Sequence, residues 1–327
     1  MPRAFRLRLL ALLCLFISTL TFARDAVAQT TDASPEDVVR VETNLITVPV
    51  YVDDARRRRV QQLTAADFQI RDAGRPVELA YFAAGTQRVA LTFLLDASGS
   101  TRERITQQRE TALALFARFG EGSRVAVIRF WEQPDVTAPF TSERERIREA
   151  FQLPALPDRR TAIFDAALAA VRHFDSLRSE RTERRIVILI SDGLDTASTT
   201  RARQVVEEAT AGGISFYVVH LPLFAPRGVV LAPRPYAKGF RDLAAQTGGR
   251  FFTLGDAASA LDPRARYDLA PIFQAVAEDL QSQYVLGFYA DNSTARDRRP
   301  RRIDVTLTAD AKRKLRVHVL RASYQLQ

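Results

Sequence analysis

From Val89 to Thr253 the chain alternates between two hydrophobic rhythms. Val89-Ala-Leu-Thr-Phe-Leu-Leu95 is a nearly unbroken apolar run, and comparable runs recur at Arg124–Trp131, Ile186–Ile190 and Ile214–His220. Runs of this kind predict strands buried on both faces. Between and after them lie helical stretches, Glu103–Phe119, Glu143–Phe151, Ala162–Leu177, Arg201–Ala211, Ala237–Gln246 and Pro271–Gln283. Val136–Phe140, suited to an edge, and Phe251–Thr253, after Gly248-Gly249, bring the strands to six. Strands alternating with helices predict an α/β fold, a doubly wound, mostly parallel six-stranded sheet with helices on both sides.

On either side of this region the period changes to two. Val41–Val52, Phe68–Arg71 and Val77–Phe82 read as strands before it, with Asp53–Arg59 a charged turn, and Tyr284–Tyr289, Arg302–Thr308 and Leu315–Arg321 read as strands after it. Neither flank has enough strands for a core alone, whereas together they supply about six, a normal number for a small sandwich. The α/β domain, residues 88–283, is therefore expected as an insertion in one small β domain made from both chain ends, 38–87 and 284–327.

The remaining N-terminal residues have a different character. Arg3, Arg6 and Arg8 precede an apolar stretch from Leu9 to Phe22, and Ala26-Val27-Ala28 is a small-residue cleavage site, so residues 1–28 read as a secretory signal peptide and 29–37 as a polar leader. The apolar stretch is shorter than the ~20 residues of a spanning helix. An exported protein is expected, in the periplasm, secreted or at the cell surface, with no transmembrane span after cleavage. Cys14, the only cysteine, lies in the signal, so cleavage would leave neither disulfides nor thiol chemistry.

The composition, 46% hydrophobic and 26% charged over 327 residues, is that of a globular chain. All but Lys238, Lys312 and Lys314 of its 47 basic residues are arginine, a skew closer to coding bias than to phosphate binding. Arg56–Arg59 fit a solvated hairpin tip with no interleaved aromatics, so nucleic acid is not an expected partner.

Candidate chemistry gathers at strand ends. The first α/β strand runs into Asp96-Ala-Ser98-Gly-Ser100, whose oxygen ligands at alternating positions can converge at the carboxyl edge of the sheet. Thr161 opens a helix and Ile190-Ser-Asp192-Gly-Leu-Asp195 ends another buried strand, so both reach the same edge. Hard oxygen donors without nitrogen or sulfur suit Mg²⁺, with Mn²⁺ or Ca²⁺ as alternatives. This ordered set resembles a von Willebrand factor A domain with its metal-ion-dependent adhesion site. The flanks, with Val48-Pro-Val50, Leu63-Thr-Ala-Ala-Asp-Phe68 and Gln283-Tyr-Val-Leu-Gly-Phe-Tyr289, resemble the secreted acidobacterial-type proteins with related A domains.

The resemblance implies that Ser98, Ser100 and Thr161 offer hydroxyls to one divalent cation while Asp96 and Asp192 hold it directly or through water. It further implies a protein partner that presents an Asp or Glu, with Arg159, Arg160, Asp195 and His220 as candidate partner contacts, and a last helix, Pro271–Gln283, able to shift on ligation. Asp165 and Asp195 also read as helix or loop stabilisers. Arg159-Arg160 stand where relatives commonly have glycines, and Thr101 where methionine is frequent; the guanidinium groups could repel the cation or attract an acidic partner. Two connections at the metal edge, Leu221–Pro235 and Gly255–Ala270, are candidates for ligand choice. Only His173, His220 and His318 are available as imidazoles, and no nucleophile-elbow, zinc-protease or phosphate-loop motif occurs. A non-enzymatic binding module is expected; the alternatives are a scaffold with an idle metal site and a metal-assisted hydrolase.

Overall fold

The computed structural model describes residues 45–86, 88–99, 101–153, 160–177, 183–262, 265, 267–291, 300–308 and 315–324. All of these fall in one unit, Thr43–Gln327. The signal and leader segments, Ser100 and Arg159 lie outside the described residues.

Four strands come first: β1 (Leu45–Asp53), β2 (Phe68–Asp72), β3 (Arg75–Val77) and β4 (Tyr81–Ala84). The chain then enters β5 (Val89–Asp96), α1 (Arg102–Thr106), α2 (Arg109–Phe116), β6 (Arg124–Phe130), β7 (Pro134–Thr141), α3 (Arg144–Ala150), α4 (Ile163–His173) and β8 (Arg184–Ser191). Next are α5 (Ala202–Gly212), β9 (Ile214–His220), β10 (Phe224–Arg227), β11 (Val230–Pro233), α6 (Phe240–Thr247), β12 (Phe251–Thr253), α7 (Ala257–Leu261) and α8 (Ala270–Gln281). Four strands close the chain: β13 (Tyr284–Tyr289), β14 (Arg301–Leu307), β15 (Arg316–Val319) and β16 (Ser323–Tyr324).

The central sheet has six strands in the order β12-β9-β8-β5-β6-β7, parallel except for the edge strand β7. Every residue of β5 and β9 is buried. The pleat explains why these strands read as continuous apolar runs. Val89, Leu91, Phe93 and Leu95 enter a core with α2, α3 and α8, while Ala90 and Leu94 enter one with α4, α5 and α6. A strand covered by helices on both faces has no polar side to alternate with.

Two antiparallel sheets of four strands, β15-β1-β13-β4 and β16-β14-β2-β3, combine both ends of the described chain. β1 pairs with β13 from Leu45↔Tyr289 to Val50↔Tyr284 and with β15 from Val50↔Val319 to Asp53↔Arg316. Their shared core includes Val48, Val50, Phe68, Ile70, Leu286, Phe288 and Val305.

Three expected elements differ from the sequence pattern. Val77–Phe82 is not one strand: the chain leaves the β2 sheet after Val77 and joins β13 from Tyr81, turning the corner between sheets. Leu315–Arg321 shortens to β15, and the chain crosses to the other sheet beyond Arg321 as the short β16, which pairs with β14. The helix expected over Glu103–Phe119 breaks at Gln107-Gln108. There the Gln108 side-chain amide donates to the Tyr267 carbonyl and its oxygen accepts the Leu269 N–H at 3.1 Å, fixing the approach to α8. The connection Leu221–Pro235 contains the β10–β11 hairpin.

Candidate metal centre

The order of the sheet sends the chain from β5 outward through β6 and β7 and then back to β8 on the other side of β5. A crevice at the carboxyl ends of the strands is expected where winding reverses in this way. Asp96, the last residue of β5, and Asp192, the first after β8, stand there at the ends of neighbouring strands. Both are buried, Asp96 completely.

Asp96 is held from several sides. Its Oδ1 accepts the Ser98 N–H at 3.0 Å and its Oδ2 the Ser191 hydroxyl at 2.6 Å. The Thr101 hydroxyl donates to the Asp96 carbonyl at 2.6 Å, and the Ala97 N–H donates to the Phe130 carbonyl at 2.8 Å. These bonds turn the chain sharply at the strand end and aim the carboxylate. Burial pushes the Asp96 carboxyl up to about 6, and the negative charge of Asp192 adds to the rise, against the lowering by Ser191 and Ser98.

The position of Thr161 depends on the loop after Asp192. Its N–H donates to the Thr196 hydroxyl at 2.8 Å, and its carbonyl accepts the N–H groups of Thr196 at 2.8 Å and Ala197 at 3.1 Å. Next to it, the Ala162 N–H donates to the Trp131 carbonyl at 2.7 Å. The Thr161 backbone is thus committed, whereas no hydrogen bond among the described residues uses its hydroxyl. Asp192 accepts the Leu194 N–H through Oδ1 at 2.9 Å. Gly193 follows at φ +80°, and a Cβ there would lie 2.5 Å from that of Tyr236, so only glycine fits the turn beneath this ring.

The structure thus gathers Asp96, Ser98, Thr161 and Asp192 at one edge, on β5, on the approach to α4 and after β8. It assigns other work to two candidate partner contacts. His220 is buried, with Nε2 3.1 Å from the Asp192 carbonyl and Tyr236, Phe240 and Phe251 around its ring; burial lowers its pKa. It supports the backbone at Asp192 and is shut off from a partner. Asp195 accepts the Ser198 N–H at 3.1 Å within the loop after β8, and Asp165 accepts the Thr200 N–H at 2.7 Å, tying that loop to α4. Arg160 is well exposed and pairs with Glu132 at 3.5 Å.

Sequence reasoning missed Ser191 and Thr196 as positioning residues. Ser191 lies inside the Ile190-Ser-Asp192 segment, but its role requires knowing that β8 lies beside β5. The partner of Thr196 is distant in sequence and carries no local signal.

The sequence profile of the von Willebrand factor type A domain matches residues 90–264. The chain belongs to this family. Domains of the family are commonly protein-interaction modules carrying a metal-ion-dependent adhesion site, and they are typically non-catalytic. Solved structures with a similar fold include a von Willebrand factor type A protein from Catenulispora acidiphila, 13% identical over 88% of this chain and 75% of its own, TM-score 0.46. An aerotolerance-related membrane protein from Bacteroides fragilis is 18% identical over 59% of this chain and 98% of its own, TM-score 0.42. Proximal thread matrix protein 1 of the mussel byssus, with a zinc-occupied adhesion-site motif, is 14% identical over 64% of this chain and 50% of its own, TM-score 0.46. No curated protein matches the chain. Among the described residues, no helix of this A-domain protein is long and apolar enough to cross a membrane.

Proposed function

We propose that the protein is an exported, metal-dependent binding module that recognises an acidic residue of a protein partner through a Mg²⁺-type site. The observation that carries this reading is the pairing of Asp96 and Asp192 at adjacent strand ends. Two buried carboxylates repel one another, and the side-chain partners of Asp96, Ser191 and Ser98, are neutral hydroxyls. A divalent cation would relieve that repulsion, and its preference for oxygen matches the donors available. Asp96, Ser98, Ser100, Thr161 and Asp192 would hold it, directly or through water. A cation faced by only two carboxylates supplies an electrophilic position for an incoming carboxylate.

The chain's own residues prepare that position. Ser191 and the Ser98 N–H orient Asp96, Thr196 fixes the backbone of Thr161, and His220 secures the turn at Asp192. The Arg160–Glu132 pair moderates the positive charge beside the site, so Arg160 can attract an acidic partner with less repulsion of the cation.

Calorimetric titration of Mg²⁺ into the chelator-treated protein tests the reading, alongside an Asp96→Ala/Asp192→Ala double variant. One saturable site in the parent and none in the folded variant is the expected result. A folded parent that takes up neither Mg²⁺ nor Mn²⁺ overturns it.

A further inference from the structure

The excursion between β9 and α6 is anchored on both sides of Asp192. At its start the Leu221 N–H donates to the Ser191 carbonyl at 2.9 Å, and at its end the Ala237 N–H donates to the Gly193 carbonyl at 2.8 Å. Between these points β10 and β11 pair from Phe224↔Pro233 to Arg227↔Val230 around Gly228 and Val229. Gly228 has φ +65°, and positive φ at the first turn residue alone is the pattern of a two-residue II′ hairpin.

The tip is apolar and projects into solvent. Val229 is fully exposed and Val230 is 60% exposed. The short helix α7 packs beside β11 and adds Leu261, itself 73% exposed. Side chains of this kind are costly to leave in water unless something covers them. Pro226 and Pro233 lie within the paired strands, where they remove backbone donors and discourage addition of a further strand. Recognition here would therefore run through side chains. The charges carried from Leu221 to Lys238 are all positive, Arg227, Arg234 and Lys238, and none pairs with a carboxylate among the described residues.

We infer that the β10–β11 hairpin, with Leu261 of α7, is the second half of the ligand footprint, taking an acidic protein segment whose metal-binding carboxylate is flanked by aliphatic side chains. The inference rests on the metal-site reading above. The double anchorage at Ser191 and Gly193 sets both ends of the excursion beside Asp192, the valines of the hairpin would offer the apolar contact, and the three cations would match further acidic residues. A partner of this chemistry uses every feature of the excursion, whereas a purely polar acid would leave the valines bare.

The test uses two fluorescein-labelled peptides in excess Mg²⁺, Gly-Glu-Leu-Asp-Leu-Glu-Gly and Gly-Ser-Ser-Asp-Ser-Ser-Gly. The parent should bind the leucine peptide about tenfold more tightly, in line with an apolar hot spot. A Val229→Ser/Val230→Ser variant should lose that preference while keeping the parent's melting temperature and its affinity for the serine peptide. Asp192→Ala should lose both peptides. Equal affinity of the parent for the two peptides overturns the hairpin inference and leaves the metal reading standing. Retention of the leucine peptide in chelator and in Asp192→Ala, with loss in the hairpin variant, overturns the metal reading instead. Absence of saturable binding of either peptide overturns the inference. So does sedimentation of the parent, but not the hairpin variant, with phosphatidylglycerol–phosphatidylcholine vesicles, or self-association of the parent that the hairpin variant abolishes.

Discussion

Asp279 and Asp96 are both buried aspartates of the same α/β domain, yet their surroundings differ in kind. Asp279, in the last turn of α8, accepts from the Arg59 guanidinium at 2.9 Å, the Tyr217 hydroxyl at 2.7 Å and the Gln283 amide at 3.1 Å. Gln283 in turn accepts from Arg184 at 3.0 Å, at the first residue of β8. Asp72 of the β domain is answered in the same way by Arg301 and by the Tyr324 hydroxyl. At the carboxyl edge, Asp96 has the hydroxyls of Ser191 and Ser98, an N–H and the repulsion of Asp192. Where the chain needs a buried carboxylate for structure it supplies the guanidinium itself. At the candidate site the described partners of Asp96 are neutral donors, and the proposed cation would supply the positive charge.

The contrast can be broken first at its structural end. Asp279→Ala would leave Arg59, Tyr217 and Gln283 without their shared acceptor, and removal of one member of a buried charged network costs about 3–5 kcal/mol. Urea unfolding should show a loss of that size in metal-free and Mg²⁺-loaded protein alike. A loss confined to the loaded form would show that the two ends of the domain are coupled. A smaller effect is expected from Thr196→Ala, which removes the hydroxyl that receives the Thr161 N–H. With a neutral hydrogen bond worth about 1 kcal/mol, the metal-free fold should lose about that much in urea unfolding, and Mg²⁺ affinity should fall by up to roughly fivefold by calorimetry as Thr161 loses its anchor.

The α/β core was legible in the sequence because burial on both faces leaves an unmistakable pattern: β5, β8 and β9 are continuous apolar runs wherever helices cover them. Less could be read where a contact from afar decides the local structure. Gln108 interrupts a helical stretch because its side chain is needed at Tyr267 and Leu269. The β3–β4 corner divides one apolar run between two sheets. Leu221–Pro235 read only as a connection, although pairing around Gly228 makes a hairpin there. At the candidate site the carboxylates could be found because they end predicted strands. Ser191 and Thr196, which position them, could not, since their partners are 95 and 35 residues away.

The most direct measurement is the unfolding free energy from pH 4 to pH 8, with and without saturating Mg²⁺. The folded Asp96 carboxyl lies at about 6 against an ordinary 3.8, so between those values the folded state keeps a proton that the unfolded chain has released. The contribution of Asp96 to stability in the metal-free protein should therefore fall as pH rises through this window, by about 3 kcal/mol, and level off above it. At pH 7, Mg²⁺ at a hundredfold excess over its Kd should restore about 2.7 kcal/mol. Asp96→Asn should remove this component of the pH dependence and the Mg²⁺ response together. If the metal-free parent and Asp96→Asn show the same pH profile and Mg²⁺ stabilises neither, the carboxyl edge is already complete without a cation and the account is wrong.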